Sequence, residues 1–266
     1  MVAVRAPAVA GRFYPADPDA LAGLVDAMLD AVAADPDEPL ASAYVVPHAG
    51  YRYSGPTAAH VYGRLRAHSK EVSRVVLIGP AHYVPVRGCA VPSTSQWLTP
   101  LGAVSIDVDG CAALARAGHA TSDDAPHEPE HSLEVQLPFL QRALRGDVHV
   151  LPIVAGRATV DDVAHTLAAA IGDPPTGTVV LCSTDLSHYL DDASARALDE
   201  RTVRAVLGLA PEEIGARNAC GVYALRGLVG WAECQRLKAS LLDQSTSADT
   251  AGDPSRVVGY AALAIG

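Results

Sequence analysis

Residues 43–51 read AYVVPHAGY, and this stretch decides the fold. Four apolar residues in unbroken succession suit a short strand buried on both faces. Pro47 and Gly50 then turn the chain, with His48 between them. The same arrangement occurs twice more. Residues 74–83 read RVVLIGPAHY, an apolar run closed by Gly79 and Pro80 just before His82. Residues 178–189 read TVVLCSTDLSHY, a third run that ends on Asp185 and His188. Further strand-like runs lie at 148–154 and 257–265, and residues 88–108 are strand-like and turn-rich.

Between these runs the apolar residues recur at helical spacing. Helices are expected at 19–34, 56–68, 109–117, 131–144, 160–171, 193–209 and 220–237, with Pro56 in a first turn. The polar stretch 244–255 reads as a surface loop. Strands alternating with helices imply an α/β fold: one domain over residues 1–266, with a mainly parallel or mixed central sheet covered by helices on both faces.

Composition excludes several classes. In 266 residues, 49% are hydrophobic and 19% charged, which is not the make-up of a disordered chain. Lys and Arg number 20 against 30 Asp and Glu, a formal net charge of −10. That balance leaves no basic surplus for phosphates, so no nucleic-acid partner is expected. No apolar run approaches 18 residues, so no membrane span is expected. The first fifteen residues lack the apolar core of a signal peptide, and Pro7 interrupts them. Cys89, Cys111, Cys182, Cys220 and Cys234 are odd in number and widely spaced, which fits a reducing compartment and a cytoplasmic protein.

Open α/β sheets bind ligands outside the carboxyl ends of their strands. Three different strands therefore deliver His48, His82 and the Asp185/His188 pair to one edge. Neutral imidazole is a common metal ligand. Two such ligands leave room for a third, anionic one, and Asp185, Glu130, Glu134 or a cysteine qualifies. Cys220 precedes a helical run, where the helix N-terminus favours thiolate; Cys182 and Cys234 read as core. Residues 127–131, HEPEH, match the zincin spacing. Pro129 conflicts with a helix through both histidines, so His127 is expected outside the helix and His131 in its first turn. GxGxxG, P-loop and GxSxG motifs do not occur in the sequence.

Taken with RAPAVAGRFYP at 5–15, EHSLEVQLPFLQ at 130–141, ACG at 219–221 and the closing VVGYAALAI, these segments resemble the Memo-like family, also labelled AmmeMemoRadiSam system protein B. The resemblance runs nearly end to end. It implies a fold related to the class III extradiol, LigB-type dioxygenases, which hold non-haem Fe(II) with two His and a carboxylate. In the Memo-like pattern a Cys replaces the carboxylate, so the implied metal ligands are His48, His82 and Cys220, with Asp185, His188 and His131 lining the same pocket. Fe(II) is the favoured ion, with Cu or Zn as alternatives. The expected function is a dioxygenase-like oxidoreductase. His131 or His188 would be its general acid/base, Asp185 would orient a histidine, and Tyr51, Tyr53 and Tyr189 would line the substrate pocket. The alternatives are a non-catalytic binding or accessory protein for a small-molecule or peptide ligand, working with radical SAM and AMMECR-type proteins, and a zinc-dependent hydrolase.

Overall fold

In the computed structural model, which describes residues 3–172 and 175–266, the three apolar runs are adjacent strands of one sheet. The chain order is β1 (Val4–Arg5), α1 (Pro18–Asp30), β2 (Ala43–Val46), α2 (Tyr51–Ala67), β3 (Arg74–Pro80), β4 (Cys89–Val91), β5 (Gln96–Thr99), β6 (Gly102–Ile106), α3 (Val108–Arg116), β7 (Thr121–Ser122), α4 (Leu137–Ala143) and β8 (His149–Ala155). It continues with α5 (Val160–Ile171), β9 (Thr178–Ser183), β10 (His188–Leu190), α6 (Asp192–Leu207), α7 (Val222–Cys234), β11 (Ala239–Thr246) and β12 (Val257–Ile265).

The spatial order is β1-β5-β6-β8-β3-β9-β2-β12-β10, with β11 also on β12 and β4 on β8 and β7. From β6 to β2 the neighbours are parallel; β12 runs antiparallel to β2, and β11 antiparallel to β12. The sheet is mixed, with a parallel centre. Its middle strands are buried along nearly their whole length, as strands covered on both faces must be. Helices α1, α2 and α4 form one layer, while α5 and α7 pack on β3 and β9. Adjacent residues show the two layers. Ser183 reaches Gln136 ahead of α4, whereas Thr184 reaches Gly221 at the head of α7.

Local sequence accounts for the helix ends. Asp17 caps α1 by accepting from Ala20 N at 2.9 Å, Pro18 opens it, and Leu21, Val25 and Leu29 form its buried stripe. Thr159 and Asp162 form a reciprocal capping box on α5.

Four sequence expectations need correction. Helix α2 starts at Tyr51 instead of 56, so Pro56 lies inside it and leaves the Arg52 carbonyl without its helical donor. The 131–144 helix starts later, as a 3₁₀ turn at Glu134–Gln136 followed by α4. Pro138 sits in the first turn of α4, where its missing N–H costs little. His131 accordingly precedes the helix. The first residues of the 244–255 stretch belong to β11, a half-exposed strand whose apolar residues are too few to mark it. Cys234, the last residue of α7, is exposed.

The N-terminal segment is pinned to the loop that carries His131. Arg5 donates to Glu134 at 2.7 Å, to the carbonyls of His127 at 2.7 Å and Glu130 at 2.8 Å, and stacks on Trp97 at 4.4 Å. Glu134 also accepts from Ala8 N, Val9 N and the Tyr14 hydroxyl. Both charges are buried and fully paired, as burial of charge requires.

Candidate metal centre

His48, His82 and Asp185 each stand two residues past the last residue of their strand, at the carboxyl edge of the sheet. Cys220 arrives from across the site, just ahead of α7. One ligand atom from each of His48, His82 and Cys220 lies within 4.8 Å of the others. His48 Nε2 is 3.2 Å from Cys220 Sγ. The imidazoles of His48, His82 and His131 form a tight group, with centroids 5.3 Å (48–82), 5.4 Å (48–131) and 4.6 Å (82–131) apart.

Each side chain has a holder. Glu130 is fully buried and accepts from His82 Nδ1 at 2.9 Å, from His82 N at 2.6 Å and from Ser132 N at 2.9 Å. Burial opposes its ionisation, but these bonds prevail and lower its pKa to about 2. A carboxylate only accepts, so His82 carries a proton on Nδ1, and its neutral form is the tautomer with Nε2 bare. His131 Nδ1 lies 3.4 Å from the same carboxylate, without hydrogen-bond geometry. Asp185 does not orient an imidazole by accepting from its ring. It accepts the backbone N–H of His48 at 2.7 Å and of Ala49 at 3.3 Å, and so clamps the PHAG turn. His188 donates Nδ1–H to the Leu186 carbonyl at 2.9 Å, which fixes its tautomer too.

Burial pushes the His48 pKa down to about 3 and the His131 pKa down to about 4, each helped by a neighbouring imidazole. Both rings are neutral at pH 7. Cys220 departs from the sequence reading. Burial, then the Asp185 carboxylate, raise its thiol to about 12. Donors that favour thiolate, the Asp185 backbone N–H, the Thr184 hydroxyl and the Gly221 N–H at the helix head, do not outweigh that burial. The Cys220 sulfur accepts from Asp185 N at 3.3 Å.

Not every expected residue reaches the site. Tyr51 is buried, donates to the Val135 carbonyl at 2.6 Å and packs on Phe139, so it belongs to the core and not to a substrate pocket. Tyr53 is half-buried in the first turn of α2, beneath Arg52. Tyr189 is 63% exposed beside His188, at a left-handed φ of 62°, with Arg256 4.4 Å above its ring. Glu134 serves the Arg5 anchor instead of the site. His127 is buried against Trp97, in a turn that precedes any helix, so the zincin geometry is absent. Sequence reasoning assigned no role to Phe13 or Tyr83, whose rings stand 4.6 and 5.7 Å from His131. It also missed Ser183 and Gln136, which hold His48. Two cavities of about 270 and 470 Å³ open at the other end of the strands, beside Val148 and His149, and contain none of these residues.

Fold and site together define an α/β protein with an apposed His/His/Cys group at the carboxyl edge of its sheet. The chain belongs to the Memo-like family, whose family model matches residues 5–264. It is 38% identical over 266 residues to a MEMO1 family protein of Aquifex aeolicus, covering 97% of each chain. It is 35% identical to one of Methanopyrus kandleri, with 97% of this chain and 98% of the relative covered. An Archaeoglobus fulgidus relative is 36% identical, with 98% of each covered.

Proposed function

We propose that this protein is a metal-dependent oxidoreductase of the non-haem, dioxygenase-like type, with Fe(II) held by His48, His82 and Cys220. The observation that carries the reading is the convergence of those three side chains at an open sheet edge. The donor set fits an ion. Two imidazoles and a thiol each bring a ligand atom within 4.8 Å of the others, and nitrogen with sulfur is a donor set that transition metals take. When bound, such an ion supplies redox chemistry and open positions for O₂ and substrate.

The protein's own groups do the rest. Two neutral imidazoles and one thiolate give a single negative charge at the open edge of the sheet. His131 stands against the ligand imidazoles and His188 is held on the Leu186 carbonyl beside Asp185, so each is placed to serve as a general acid or base. Tyr83, Tyr189 and Phe13 provide aromatic surface beside these histidines. The test is anaerobic loading with Fe(II), followed by O₂ uptake with a panel of catechol-like compounds. Uptake that His48→Ala abolishes is the expected result. No uptake by protein shown to carry one iron per chain would overturn the redox reading.

A further inference from the structure

The polar network behind His48 can be solved for its protons. The Pro47 carbonyl can only accept, and it lies 3.0 Å from the Gln136 amide nitrogen. That fixes which way the amide points, because a flipped amide would set two carbonyl oxygens against each other. Gln136 Oε1 then accepts from the Tyr62 hydroxyl at 2.6 Å, and Nε2 also donates to Ser183 Oγ at 2.7 Å. Ser183 has one proton. The Ser132 carbonyl, 2.6 Å away, can only accept and so takes it. One lone pair on Ser183 serves Gln136. The other faces His48 Nδ1 at 2.9 Å, and no hydroxyl proton is left for that contact.

We infer that Gln136 and Ser183 are positioning residues that lock His48 as its Nδ1–H tautomer, so that its Nε2 lone pair faces the site before any ion arrives. Tyr62, Gln136 and Ser183 are all buried, so the network is shielded from bulk solvent and acts as a fixed template. His82 receives the same tautomer from Glu130 by a separate route. The two imidazoles therefore present bare nitrogens toward one thiol, and in the metal-free protein the Cys220 S–H donates to His48 Nε2 across 3.2 Å. A lone pair already in place removes a tautomer change from the binding step, as second-layer partners of metal-bound histidines do. This inference deepens the metal reading but is testable without it.

The experiment is nitrogen NMR of ¹⁵N-histidine-labelled, chelator-treated protein at pH 7, with His48 assigned from the spectrum of His48→Gln. A single tautomer, protonated on Nδ1 and bare on Nε2, is expected. A His48 protonated on Nε2, or one averaging between tautomers, would overturn the inference whether or not the protein binds metal. Ser183→Ala is then expected to lose the single-tautomer signature. It should also weaken Co(II) binding, followed by its thiolate absorption, by about 10–100-fold. An unchanged tautomer and unchanged Co(II) affinity in Ser183→Ala would also refute it. Should Ser183→Ala not fold, the parent spectrum decides alone. A correct tautomer in a protein that binds no Co(II) or Fe(II) supports the hydrogen-bond assignment and counts only against the proposed function.

Discussion

Glu134→Gln tests how the N-terminal segment holds the site. The carboxylate takes four donors: Arg5 and Ala8 N on one oxygen, and Val9 N and the Tyr14 hydroxyl on the other, all between 2.6 and 2.9 Å. The substitution keeps shape and volume but replaces one oxygen by an NH₂ group. With the NH₂ on one side, Arg5 and Ala8 N both face a donor; on the other, Val9 N does, while the Tyr14 hydroxyl can turn to accept. Arg5 also loses its counter-charge while its side chain stays buried. Breaking a buried pair from one side costs about 3–5 kcal/mol, a large share of the roughly 5–15 kcal/mol that stabilises a typical protein. The assay is equilibrium urea unfolding, read as a shift of the midpoint at constant slope. Arg142→Ala is the contrast. It breaks the Arg142–Asp26 pair of 2.6 Å, whose partners are both about 40% exposed, and should cost under about 1 kcal/mol. A Glu134→Gln loss below about 1 kcal/mol would refute the reasoning. Because Arg5 also holds the His127 and Glu130 carbonyls, the variant should bind metal more weakly as well.

Three further outcomes are expected. With the Cys220 thiol raised to about 12 and His48 lowered to about 3, a metal entering at pH 7 displaces a proton from sulfur and none from His48. Affinity should then rise at least about tenfold per pH unit near neutrality, and calorimetry in buffers of different ionisation enthalpy should count at least one proton; a count of zero would contradict the thiol assignment. Asp199 is raised to about 6 by burial, and its Oδ2 has no partner. A raised carboxylate favours folding while protonated and loses that contribution as pH climbs from its unfolded value through about 6. Asp199→Asn should therefore stabilise the protein at pH 8 and gain little at pH 4, as thermal unfolding would show; an equal effect at both pH values would dismiss the idea. A Cβ at Gly259 would overlap the Asp199 carboxylate, so Gly259→Ala should cost about 1–3 kcal/mol by overpacking, and a neutral unfolding midpoint would count against that packing.

The parallel centre of the fold was legible because its strands are buried on both faces and read as unbroken apolar runs. His48, His82 and Asp185 were legible for the same reason: each follows such a run by a turn. Strand β11 was not, since ASLLDQST is half-exposed and carries no clean alternation. Side-chain direction was harder still. Tyr51 lies three residues from His48, yet the start of α2 turns it inward to Val135 and Phe139. Glu130 and Glu134 look alike in sequence, but the turn between them sends one to His82 and the other to Arg5. Gln136 and Ser183 carry no signal of their own, because their role depends on long-range contacts with Pro47 and His48.

The most direct test is the metal content of protein purified without oxygen, measured by elemental analysis for the parent chain, His48→Ala and Cys220→Ser. About one iron per chain in the parent, lost in both variants, is the expected result. No bound ion in the parent, even after anaerobic loading, would contradict the proposed centre, and one zinc per chain would contradict the assignment of iron.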